Sequence, residues 1–187
     1  ARGVQKIDGL ASFTPNMTLQ NNPSFGGAGS SAAIYIRGIG QKEFLPTTEP
    51  GVGVYVDGVY VARSVGALLD LVDVERVEIL RGPQGTLFGR NTIGGAISIT
   101  TKKPDETPSG NLQVTTGRFS RIDVKASANI PLSDTLFSKV TVATFNRDGY
   151  VRHLVDGREL GDVGTLTGRF DLRWKPSSTF EVNLAVE

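Results

Sequence analysis

Apolar and polar residues alternate along most of this chain, and the period of the alternation changes as the chain proceeds. Val4, Ile7, Leu10 and Ala11 fall three and four apart, a spacing that gathers apolar side chains on one face of a helix. Thr14-Pro15-Asn16 ends that helix. Residues 17–20 then read as a short strand. Residues 21–32, rich in Asn, Gly and Ser, read as a loop, and residues 33–37 as a strand. A second loop, 38–53, carries Pro46 and Pro50. Residues 54–61 read as a tight hairpin about Asp57-Gly58, and 65–71 as a short helix.

The next stretch holds the strongest local pattern. Val74, Arg76, Glu78 and Leu80 alternate with Glu75, Val77, Ile79 and Arg81, in a run dense in β-branched residues, so it reads as a strand. Gly82-Pro83 stops it, and a short glycine-rich segment turns the chain. Ala96, Ser98 and Thr100 alternate with Ile97, Ile99 and Thr101 in a second strand. Gly94-Gly95 supplies a positive φ or a close backbone approach just before it.

The composition shifts at Lys103-Pro104-Asp105-Glu106-Thr107-Pro108, which reads as a linker. Beyond it the period is two throughout. Ile122, Val124, Ala126, Ala128 and Ile130 alternate with Arg121, Asp123, Lys125, Ser127 and Asn129. Leu166, Gly168, Phe170, Leu172 and Trp174 alternate with Thr165, Thr167, Arg169, Asp171 and Arg173. Phe180, Val182, Leu184 and Val186 alternate with Thr179, Glu181, Asn183 and Glu187. Residues 112–117 and 136–145 are weaker versions. These segments match the ~9–11 residues that cross a bilayer as tilted strands. A soluble sandwich with its apolar face inward gives the same alternation. The strand lengths, the short turns at 131–134 and 176–178 against the long loop 148–164, and Trp174 beside a tight turn favour a membrane barrel. About five strands cannot close one, since bacterial barrels need at least ~8. The rest of the wall is therefore expected beyond this sequence.

Composition narrows the classes. The chain has 187 residues, 39% hydrophobic and 21% charged, and no apolar run approaches the ~20 residues of a spanning helix. A formal net charge of +1 gives no footprint for nucleic acid. Cysteine is absent, which excludes disulfides, thiolate metal sites and cysteine nucleophiles. The first residues already read as the interior of a domain, so any targeting segment is expected upstream.

Several ordered motifs carry a resemblance. The run Val74-Glu75-Arg76-Val77-Glu78-Ile79-Leu80-Arg81-Gly82-Pro83 is followed by Leu87-Phe88-Gly89. Gly94-Gly95-Ala96-Ile97-Ser98-Ile99-Thr100-Thr101-Lys102-Lys103-Pro104 comes next. Upstream stand Ile34-Tyr35-Ile36-Arg37-Gly38 and Val54-Tyr55-Val56-Asp57-Gly58-Val59. Together they resemble the plug domain of a TonB-dependent outer-membrane receptor, over roughly residues 3–104. The resemblance implies an α+β plug, a small mixed sheet with short helices and long loops, followed by antiparallel strands of an incomplete transmembrane β-barrel. The expected bounds are plug 1–104, linker 105–108 and the first barrel strands 109–187. It implies a transporter in the bacterial outer membrane, in contact with its lipid, that takes up a scarce nutrient such as a ferric siderophore. Energy would come through TonB and its inner-membrane complex. No cofactor, metal or catalytic residue is implied. The alternative is a soluble, non-enzymatic binding module made of an α/β globule and a β-sandwich.

The resemblance also points to residues. It places Arg81 at the plug–barrel interface, paired with acids of the wall, as a latch; Arg37 belongs to a matched motif and joins it. Phe25, Gln41 and Phe44, in or beside the glycine-rich loops, are candidate ligand contacts at the plug apex. Tyr55 and Tyr60 read as hairpin packing. Gly27-Ala28-Gly29-Ser30-Ser31-Ala32 fits a dinucleotide pattern but lacks the strand before it and helix after it that such a site needs. Glu75 and Glu78 fall on opposite strand faces, which speaks against a carboxylate pair. The only histidine, His153, lies in the long loop near Asp148, Asp156 and Asp162, a weak basis for a metal.

Overall fold

The computed structural model describes residues 7–22, 31–41, 49–61 and 73–187. The chain divides into two compact units, Ala1–Lys102 and Lys103–Glu187.

The first described element of the first unit is a 3₁₀ helix, Ile7–Phe13, where the spacing suggested an ordinary amphipathic helix; Val4, at the start of that pattern, lies outside the described residues. Seven residues ending one short of Pro15 leave little room for α-type bonds. Thr14 closes the helix, its hydroxyl donating to the Leu10 carbonyl at 3.0 Å. Strands β1 (Met17–Asn22), β2 (Ser31–Ile36) and β3 (Ile39–Gln41) form an antiparallel sheet in that order. The β2–β3 turn is Arg37-Gly38, with φ of 53° and 79°, the doubly left-handed pattern of a two-residue hairpin. Strand β3 lies inside the stretch read as a loop. With one apolar residue in three, it offered no alternation to detect.

A second sheet combines β4 (Val52–Val56), β5 (Val59–Val61), β6 (Val74–Arg81) and β7 (Gly95–Thr101) in the order β5-β4-β7-β6. Strands β4 and β7 run parallel; the other pairs are antiparallel. The β4–β5 hairpin turns at Asp57-Gly58, φ 49° and 83°, as the sequence predicts. Asp57 also staples this turn to β7, its two carboxylate oxygens accepting from the Thr101 amide and hydroxyl at 2.8 Å each. The helix expected at 65–71 lies outside the described residues. Met17, Leu19, Ile34 and Ile36 from the first sheet join Val52, Val54, Ile97 and Ile99 from the second in one core, against which Leu10 and Ala11 pack. Burial of each such side chain stabilises the fold by about 1.5–3 kcal/mol.

The second unit is a meander. Strands β8 (Ser109–Gly117), β9 (Arg121–Pro131) and β10 (Leu136–Arg147) are followed by a small hairpin, β11 (Val151–Arg152) and β12 (Glu159–Leu160). Strands β13 (Val163–Trp174) and β14 (Val182–Val186) complete it. The large sheet has the order β14-β13-β10-β9-β8, antiparallel at every step. Cross-strand register puts like with like. Leu112 faces Ala126, Val142 faces both Ala126 and Gly168, Val140 faces Phe170, and Phe170 faces Val186. The tight turn after β9 is held by the Leu132 amide on the Leu136 carbonyl and the Ser133 hydroxyl accepting from the Leu136 amide. At the other end of the strands the turns are unequal: Arg118-Phe119-Ser120 is as tight, and only 148–162 is long.

The two faces of this sheet are inverted relative to a soluble one. The apolar face is open, with Leu112 70%, Leu166 75% and Leu184 55% exposed. The charged face is covered, with Asp123 5%, Lys139 7% and Asp171 8% exposed. A sandwich in water would show the reverse. Trp174 ends the apolar face and meets Phe180 edge-on, ring centroids 6.0 Å apart, where an aromatic girdle lies in membrane barrels.

Candidate functional site

In the first unit, one corner gathers the motif residues. Strand β6 delivers Arg81, and Gly82 then turns the chain at φ +100°, its amide donating to Gly94 at 3.0 Å. A Cβ on Gly82 would lie 3.6 Å from Nη1 of Arg37. The β2–β3 turn thus brings Arg37 beside Gly82, the residue that follows Arg81, although the two are far apart in the chain. Both arginines are exposed, and among the described residues neither forms an ion pair.

The excursion between β6 and β7 is rigid for identifiable reasons. The Gln84 amide donates to Thr92, and the buried Thr92 hydroxyl donates to the Gly89 carbonyl at 2.8 Å. A one-turn helix, Gly85–Phe88, hangs on Tyr55, whose hydroxyl donates to the Phe88 carbonyl at 2.7 Å. The Tyr55 ring also packs on Tyr60 and Phe88, centroids 5.3 and 4.8 Å away. Burial, and then the neighbouring Tyr60, push the Tyr55 hydroxyl above its ordinary range, so it stays protonated and remains a donor. Asn91 donates to the Tyr60 hydroxyl at 2.9 Å. Both tyrosines are therefore packing residues. The excursion presents Leu87 and Ile93, 83% and 66% exposed.

Gln41 sits at the end of β3, opposite Ile34, partly buried on a strand and not in a loop. The segment that follows it, with Phe44, lies outside the described residues, as do Phe25 and residues 27–30 of the glycine-rich run. Glu78 pairs with Arg76 at 3.2 Å, and nothing brings Glu75 to it. His153 bonds through Nδ1 to Asp156 at 2.6 Å, and Asp156 also binds Arg158 at 2.9 Å. The histidine is thus taken up in closing the β11–β12 turn. Among the described residues no group of three metal-ligating side chains occurs.

In the second unit the acids of the covered face are matched by cations already. Arg121 Nε lies 2.8 Å from Asp123, and Arg169 Nε 3.0 Å from Asp171; each pair sits two residues apart on one face of one strand. Arg169 reaches Glu187 at 3.8 Å. Glu181 accepts from Arg173 and Lys103 at 2.8 Å each and from Asn183 at 2.7 Å. Alternation alone does not single out Asn129, which contacts Asp105 and Thr107.

Arg173, then Lys103 and Asn183, lower the Glu181 carboxyl from its ordinary 4.5 to about 2. A depressed value means the contact stabilises above the ordinary carboxylate range and is lost as pH falls toward about 2. In isotope-labelled receptor the Glu181 carboxyl signal is expected to titrate near that lower value. A midpoint in the ordinary range would show the three donors are not seated.

Comparison with known proteins agrees with this geometry. A family profile described as "TonB-dependent Receptor Plug Domain" matches residues 1–96. The pesticin receptor of Yersinia pestis is 34% identical over 178 residues, covering 93% of this chain and 25% of the relative. The iron-regulated outer membrane virulence protein of Vibrio cholerae is 31% identical, covering 86% and 26%. The crystal structure of the ferric yersiniabactin uptake receptor FyuA from Yersinia pestis superposes with a TM-score of 0.85 at 31% identity, over 98% of this chain and 28% of that one. The chain thus spans about a quarter of the length of the curated relatives it matches. Plug motifs in order, an inverted antiparallel sheet and these matches lead to one assignment: the chain belongs to the TonB-dependent receptors of the bacterial outer membrane.

Proposed function

We propose that this chain is the plug, residues 1–104, the linker, 105–108, and the first wall strands, 109–187, of an active transporter for a ferric siderophore. The observation that carries this is the inverted sheet: a wall that turns apolar side chains outward and ion pairs inward suits lipid on one side and a hydrated interior on the other. A barrel of the relatives' size leaks unless a folded globule fills it. The outer membrane has no ATP, so the work is drawn from the inner membrane through TonB. Ligand capture shifts the plug between two states that bind the ligand unequally. Phe25, Gln41 and Phe44 contact the ligand at the plug apex. The names of the relatives, a yersiniabactin uptake receptor and an iron-regulated protein, favour iron as cargo.

The test is to express the complete receptor, then measure its induction under iron limitation and its binding of ferric siderophores. Induction by iron scarcity with binding supports the reading; neither would sink the siderophore assignment.

In this reading Arg81 and Arg37 form the latch. The wall acids described above are taken by Arg121, Arg169, Arg173 and Lys103, so the latch partners belong to later strands. Breaking a buried pair costs about 3–5 kcal/mol, because one charge is left stranded. Arg81→Ala in the complete receptor is expected to raise passive entry of small solutes. Unchanged leakage would remove Arg81 from the latch.

A further inference from the structure

The junction between the two units is marked by adjacent lysines with different anchors. Lys102 closes the first unit: its amide donates to the Asp73 carbonyl at 3.0 Å and its Nζ lies 3.7 Å from the Asp73 carboxylate. Lys103 belongs to the second unit, with Nζ 2.8 Å from Glu181.

The five residues that follow read as a linker, and a free linker leaves its backbone groups to water. Here those of Pro104, Asp105 and Thr107 are taken. The Pro104 carbonyl accepts from Arg173 Nη1 at 3.1 Å. The Asp105 amide donates to Asn129 Oδ1 at 3.2 Å. Asn129 Nδ2 in turn lies 3.0 Å from the Asp105 carbonyl, 3.0 Å from its carboxylate and 2.7 Å from the Thr107 carbonyl. The Thr107 amide donates to the Asp105 carboxylate at 2.8 Å. Pro104 is buried, and Asn129 is 7% exposed. The clamp draws on β9 through Asn129, on β13 through Arg173, and on Glu181 at the entry to β14.

We propose that residues 103–107 are a mechanical stop, clamped to the wall by Asn129, Arg173 and Glu181 so that withdrawal of the first unit ends at the Lys102–Lys103 peptide. The physical reason is load sharing. Strand β8 begins at Ser109, paired with Asn129. Without the clamp, tension along the chain would fall on that terminal rung and open the β8–β9 ladder one bond at a time. With it, tension meets charge-assisted bonds to Arg173 and Lys103, each roughly twice as strong as a neutral one, spread over separate strands. The source of tension in cells rests on the transport reading; the stop itself does not.

The test pulls the complete receptor from its N-terminus in a lipid bilayer by force spectroscopy. In the wild type, the last extension before the wall yields is expected to end with the anchor at Lys103. In Asn129→Ala combined with Glu181→Gln and Arg173→Gln, which removes all three anchors, the anchor should move to Ser109. The extension then lengthens by the connector, about 20 Å at ~3.5 Å per residue, and the final rupture force drops. Asn129→Ala alone, which keeps every charge, carries the same test if the combined variant does not assemble, and should lower that force. Equal extension and force in wild type and variants, or a wild-type anchor already at Ser109, overturns the proposal. The instrument supplies the force, so a receptor with no uptake in cells but with its anchor at Lys103 would sink the transport reading and leave the stop standing.

Discussion

Val142→Arg is expected to destabilise the membrane-inserted receptor by about 2–4 kcal/mol, the cost of a guanidinium near the midplane of a barrel's lipid face. Val142 lies midway along β10 on the open apolar face, 40% exposed. Its cross-strand neighbours are Ala126 and Gly168, which offer an arginine neither a counter-charge nor an acceptor side chain. Val140, Phe170 and Leu166 on the same face extend the apolar surroundings. The side chain is long enough to bend toward an interface, which sets the lower end of the range. The control is Leu154→Arg, which adds the same charge in the β11–β12 loop where Leu154 is 96% exposed; its effect should stay within about 0.5 kcal/mol. Yield of folded receptor in outer membranes and denaturant midpoints in lipid give the comparison. A water-facing valine tolerates arginine, so equal stability of the two variants would mean that this face does not meet lipid.

That experiment addresses the point on which sequence reasoning had least purchase. Period-two alternation in β9, β13 and β14 was plain, but it is the same signal for a barrel and a sandwich. Only three-dimensional burial shows that Asp123 and Asp171 are covered while Leu166 and Leu184 are open. Local chemistry was more legible. Asp57-Gly58 was readable as a hairpin turn because few dipeptides tolerate two positive φ values, and Gly94-Gly95 as a site of close approach. The equivalent turn at Arg37-Gly38 went unread because arginine is no turn signal and β3 is three residues long. The proximity of Arg37 to Gly82 depends on two sheets meeting, which no local window contains. Asn129 was legible only as one polar position among five; its role arises from where the connector happens to run.

The second large effect is expected from Gly95→Ala. Gly95 opens β7, the strand that pairs with both β4 and β6, and it sits at φ +151°. A Cβ there would stand 2.3 Å from the Leu80 carbonyl oxygen and 2.9 Å from Cδ1 of Ile36. The first contact is with backbone, so no rotamer change relieves it. Leu80 is paired to Ala96, and Arg81 to Gly95 itself, so relief means moving the end of β6. Backbone strain costs about 1–3 kcal/mol and overpacking about 1–3 kcal/mol more, so a loss of at least ~2 kcal/mol in plug stability follows. The displacement acts on the Arg81-Gly82 corner, so solute leakage should rise together with proteolytic sensitivity of the plug. Gly85→Ala, ten residues earlier, sets the opposite sign. It lies in the one-turn helix with nothing within 4 Å of its Cβ position, and alanine there gains roughly 0.5–1 kcal/mol over glycine. If both alanines behaved alike in the complete receptor, the close approach of β7 to Leu80 would not be what fixes this corner.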